Sequence, residues 1–126
     1  MADEDGAMTD SAQDALSPGG MDVPGDVAVF FDNGRTLILL RGHVDLSVAD
    51  DLEHSGRDAI DADLPIFADV RAVESIDSVG ISFLIRLAGN ARAAGTTVSL
   101  VGPSPRVQEL LVLLDSESLF DWVDGA

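Results

Sequence analysis

The feature that most constrains the fold of this chain is an alternation. Strand-type apolar runs trade places with stretches whose apolar residues recur at helical spacing. Residues 27–31 and 36–40 are β-rich runs joined by Asn33-Gly34, a tight-turn signal, so they predict a hairpin that Gly42 ends. Ser47 is placed to cap a first helix that carries Asp50 and Asp51 in its first turn. Ala49, Leu52, Gly56, Ala59 and Ile60 give that helix an inward stripe running to about Asp61. Residues 64–70 form an apolar run that suits a buried strand, with Pro65 near its start, and residues 71–76 read as a link. A second helix follows, with Ile81, Leu84, Ile85, Leu87, Ala88 and Ala91 on its apolar side and Gly95 past its end. Residues 96–102 are rich in β-branched residues and predict a strand. Pro103-Ser104-Pro105 opens a third helix striped by Val107, Leu110, Leu111 and Leu114. Residues 118–123 close the chain as a short strand or docked tail.

Strand and helix in alternation imply parallel pairing with helices packed on the sheet, and the opening hairpin adds an antiparallel pair. The expectation is a single α/β domain: a mixed sheet of four to five strands against three to four helices.

Charge narrows the partners. The chain carries a formal charge of −16, and all seven of its basic residues are arginine. Such a chain is repelled by phosphate backbones and anionic lipid, so neither direct nucleic-acid binding nor membrane insertion is expected. The acidity serves solubility, or it steers the chain to a basic partner protein. Residues 1–26 hold seven acids and no base, together with Ser17-Pro18-Gly19-Gly20 and Pro24-Gly25; they read as a disordered acidic tail ahead of a domain over 27–126. Without those seven, 16 acids face seven arginines, so the folded part is itself acidic, near −9. There is no cysteine, which excludes thiolate chemistry and cysteine zinc sites and fits a reducing compartment. No apolar run approaches the roughly 20 residues that span a bilayer, and the N-terminus lacks a signal-peptide pattern, so a cytoplasmic location is expected. Two histidines, His43 and His54, offer little for a metal site, and Glu53, Asp58 and Asp61 read as a solvated helix face. No metal and no cofactor is expected.

The most informative segment is residues 76–81, Ile76-Asp77-Ser78-Val79-Gly80-Ile81, where a connection becomes the second helix. On its own, Asp77-Ser78 is a capping pair, with a side chain that accepts from the orphan amides of the first turn. The wider pattern adds a second reading. Leu40-Arg41-Gly42-His43-Val44-Asp45 resembles the Gly-x-hydrophobic-Asp turn of STAS domains, the fold of anti-sigma-factor antagonists. Phe67-Ala68-Asp69-Val70 is similar to their strand ending in an acidic residue, and Asp77-Ser78-Val79-Gly80 to their Asp-Ser-x-Gly phosphorylation motif. Ala94–Val101, Val107–Leu111 and Leu119-Phe120 resemble the later elements, so the likeness spans residues 27–124.

That resemblance implies a protein-binding switch and not an enzyme. Ser78 would be the serine phosphorylated by an anti-sigma factor with serine/threonine kinase activity, with a phosphatase reversing the mark. Asp45, Asp77, Ser78, Val79, Gly80, Ser82 and Phe83 would form the partner-binding surface. Val79 departs from relatives that carry a second hydroxyl residue there. Phe83 lies off the expected core stripe, as a partner anchor or as packing under a neighbouring element. Two rivals remain. STAS domains also serve as scaffolding subunits of stress complexes and of lipid transporters. A serine hydrolase would draw on Ser78, His43 and Asp45, but no Gly-x-Ser-x-Gly elbow surrounds Ser78.

Overall fold

A computed structural model describes residues 24–124. Five strands and three α-helices alternate: β1 (Asp26–Asp32), β2 (Arg35–Val44), a 3-10 turn (Leu46–Val48) leading into α1 (Ala49–Asp61), β3 (Ile66–Ile76), α2 (Ser78–Ala93), β4 (Val98–Val101), α3 (Pro105–Leu113), a second 3-10 turn (Glu117–Leu119) and β5 (Asp121–Val123). The strands form one sheet in chain order. β1 runs antiparallel to β2, and every other neighbouring pair is parallel. The hairpin turns at Asn33 and Gly34, both at positive φ (54° and 74°), as a twist-matched two-residue turn requires.

One face of the sheet carries Ile38, Leu40 and Val44 from β2, Ile66, Ala68 and Val70 from β3, and Val98 and Leu100 from β4. Leu52 and Ala59 of α1, Ile81, Leu84, Ala88 and Ala91 of α2, and Val107 and Leu111 of α3 close over it. α2 stops in a Schellman arrangement: Gly95 at φ 85°, with the Thr96 amide donating to Ala91 O at 2.8 Å and the Gly95 amide to Arg92 O at 3.1 Å.

Of the tail expected over residues 1–26, residues 1–23 lie outside the described residues, while Asp26 opens β1 and pairs with Arg41. Three sequence expectations are corrected. Gly42 does not end β2; the strand passes through it at φ 71° and continues to Val44. Residues 71–76 are not a link but the second half of β3. Leu114, placed on the inward stripe of α3, lies past the helix and is exposed.

Candidate functional site

The site forms where two neighbouring parallel strands end together. Val44, the last residue of β2, is the register partner of Ile76, the last residue of β3. Each is followed by an aspartate, and each aspartate caps the helical turn after it. The Asp77 side chain accepts from the Val79 amide at 2.9 Å and from the Gly80 amide at 3.4 Å. Asp45 Oδ1 accepts from the Ser47 amide at 2.9 Å and from the Ser47 hydroxyl at 2.6 Å. Ser47, predicted as the cap, is therefore the donor, and Asp45 is the cap. The Asp77 amide donates to Val44 O at 3.1 Å, tying the two connections together. The bonds from Ser47 hold the Asp45 carboxyl below its ordinary range.

Ser78 is the first residue of α2, and it is exposed. Its neighbour Asp77 already occupies the Val79 and Gly80 amides, the donors that would otherwise receive an anion at this helix start. The helix lies close over the strand ends because residue 80 is glycine. A Cβ there would stand 2.5 Å from Ile76 Cγ1 and 2.8 Å from Val44 Cγ1. Functional sites of α/β sheets gather at such carboxyl ends of strands.

A family model described as "Mlab, STAS domain" matches residues 27–121 of this chain. The chain belongs to the STAS family. None of the curated proteins matches it. Among solved structures, it resembles an anti-sigma factor antagonist from Mycobacterium paratuberculosis at 22% identity and a TM-score of 0.67, over 79% of this chain and 86% of that one. It resembles the Bacillus cell fate determinant SpoIIAA in its phosphorylated form at 15% identity and a TM-score of 0.67, over 80% and 92%. The unphosphorylated form of SpoIIAA gives 17% identity and 0.64, over 78% and 86%. The five-stranded mixed sheet with three helices is thus a STAS fold.

The STAS fold sorts the residues expected at the partner surface. Asp77, Ser78 and Ser82 are exposed, Asp45 and Val79 are half-buried, and Gly80 is buried. Phe83 is corrected: it is no surface anchor. The residue is 4% exposed and belongs to the core, where it lies close over Gly56: a Cβ there would stand 2.9 Å from Phe83 Cε1 and force a shift. Phe83 also lines a groove of about 270 Å³ between α1 and α2, beside Arg57 and a 2.7 Å pair between Glu53 and Arg86. The histidine of the hydrolase reading meets a different serine, with His43 Nδ1 2.5 Å from Ser75 Oγ. Among the described residues no group of three or more His, Asp or Glu converges as metal ligands, and no helix is long and apolar enough to cross a membrane. One residue of this end carries no pattern signal in the sequence: Leu46, in the 3-10 turn beside Asp45, is 73% exposed.

Proposed function

We propose that this STAS domain is an anti-sigma factor antagonist whose docking face is switched by phosphorylation of Ser78. The observation that carries the reading is the exposed Ser78 hydroxyl on the first residue of α2, flanked by Asp77 and tied to the Asp45 turn. The likeness to SpoIIAA, solved in both unphosphorylated and phosphorylated forms, supports it.

Unphosphorylated, the face is compact and can be covered by an anti-sigma factor kinase, which frees the sigma factor. In the transfer step, Ser78 Oγ bonds to the γ-phosphorus of ATP held by the kinase. The bond from that phosphorus to the β–γ bridging oxygen breaks, ADP leaves, and the hydroxyl proton passes to a base of the kinase. The product adds about −1.5 to −2 charges and three acceptor oxygens. With the Val79 and Gly80 amides held by Asp77, the phosphate would find these two donors already taken and would stand beside a carboxylate. Docking must then desolvate a dianion next to like charge, and each 1.4 kcal/mol of that cost weakens binding about tenfold. The fold stays while the partner is lost, and removal of the phosphate by a phosphatase restores docking.

The reading is tested by incubating the protein with the purified anti-sigma kinase and ATP, then mapping phosphate by mass spectrometry. One phosphate at Ser78 is expected; Ser78→Ala should bind and resist release, and Ser78→Asp should bind poorly. Phosphate at another residue, or equal binding by both variants, removes the switch. A second reading keeps the fold and changes the assembly, to a scaffolding subunit of a stress complex or lipid transporter. The match to a STAS family model, which fixes the domain and not its assembly, is what keeps this reading. A pull-down that retrieves a transporter ATPase in place of a kinase-type anti-sigma factor decides for it.

A further inference from the structure

We infer that Leu46 is the apolar anchor of this docking face, built to enter a socket bordered by basic side chains on the partner protein. The inference rests on the proposed function for the identity of the partner, and on the structure for the anchor.

A single exposed leucine is ordinary on a protein surface. Leu46 differs in how it is held and in what surrounds it. It is 73% exposed, yet it sits in a 3-10 turn fixed at its start by both bonds from Ser47 to Asp45 Oδ1 and by the Val48 amide donating to Asp45 O at 3.1 Å. The following residue but one, Val48, is buried, which roots the turn in the core. Ordering the anchor therefore costs little on binding, because the backbone that presents it is already set. The turn is next to Ser78, since the Asp77 amide bonds Val44 O and Gly80 packs on Val44.

Among the described residues, the other exposed large apolar side chains lie elsewhere. Phe30 and Phe31 are near the hairpin turn, at the opposite end of β2; Val112, Leu113 and Leu114 end α3; Trp122 and Val123 are on β5, three strands away from β2. Around Leu46 the described residues gather acids: Asp45 before it, Asp50 and Asp51 just after it in the first turn of α1, and Asp77 on the neighbouring connection, with the His43 imidazole acting on Asp45 from β2. An apolar knob amid carboxylates is matched by an apolar pocket rimmed with Arg or Lys, where the rim charges steer encounter and the buried side chain supplies hold. Phosphate on Ser78 would add charge beside Leu46, the large apolar side chain most exposed at this end among the described residues.

The test measures affinity of the full chain for the purified anti-sigma kinase by titration calorimetry. Leu46→Ala is expected to weaken binding at least tenfold, Leu46→Met to restore most of it, and Leu113→Ala, at the same 73% exposure but at the far end of α3, to stay within twofold. A Leu46 methyl NMR signal should also shift on complex formation, a readout that needs no variant. If Leu46→Ala binds within twofold of wild type while Ser78→Asp loses binding, the anchor is overturned and the switch stands. If neither substitution changes binding, the docking face itself is misassigned, and the anchor goes with it. A dimer of this chain alone that Leu46→Ala dissolves would also overturn the inference, because a second copy would then be the occupant.

Discussion

Replacing Asp77 with alanine removes the acceptor at the start of α2 and leaves two amides, Val79 and Gly80, without the oxygen now 2.9 and 3.4 Å away. A lost N-cap costs about 1 kcal/mol and up to about 2. On a domain of about 100 residues, each kcal/mol lowers the melting temperature by about 4–8 °C. Asp77→Asn keeps a side-chain oxygen in place and should recover most of the loss, which separates the bond from the charge. Thermal unfolding by circular dichroism reads both variants. Phosphorylation adds a second arm. In the wild type the amides are taken, so phosphate on Ser78 should leave the Val79 and Gly80 amide NMR signals near their positions. In Asp77→Ala the phosphate can turn onto those amides, shift them downfield and restore part of the lost stability. The reasoning is refuted if Asp77→Ala melts with the wild type, or if the phosphate moves the two amide signals as far in wild type as in the variant.

Two further predictions concern the frame of the site. Gly80→Ala should destabilise by about 1–3 kcal/mol in urea unfolding, although alanine is the better helix former by about 1 kcal/mol, because its Cβ would overlap Ile76 and Val44; a neutral or stabilising result would mean that α2 has room to shift. Asp69 is buried, and hydrogen bonds from Arg71, including one of 2.7 Å, hold its carboxyl below the ordinary 3.8. Its contribution should be complete above pH 3.8 and fade as acid protonates the folded carboxyl, so the stability gap between wild type and Asp69→Asn should narrow below that pH. A gap that widens in acid would contradict the assignment.

Much of the fold was legible because local chemistry and global position agree. Asn33-Gly34 signals a tight hairpin, Gly95 can end a helix in the left-handed region, and the run at 98–101 sets Val98 and Leu100 on one side of its alternation, both buried in the core. Asp77-Ser78 before an apolar stripe was enough to mark a helix start. The second half of β3 was not legible, and the reason is physical. Its pairing with β2 shifts register between Leu39 and Arg41 and again between Gly42 and His43, each time with an extra residue on β3. The bulges leave Arg71-Ala72 and Glu74-Ser75 exposed as adjacent pairs, which breaks the period-two signature by which a strand is read. Phe83 was ambiguous for a related reason: its burial depends on Gly56, a residue 27 positions away that only packing of α1 on α2 brings beneath the ring. Composition and spacing by themselves determined the alternation, the acidity and the capped serine at a helix start. Only the tertiary structure decided that Asp45 and Asp77 stand side by side, since two extra residues in β3 are what set Ile76 opposite Val44, and that an exposed leucine shares their end of the sheet.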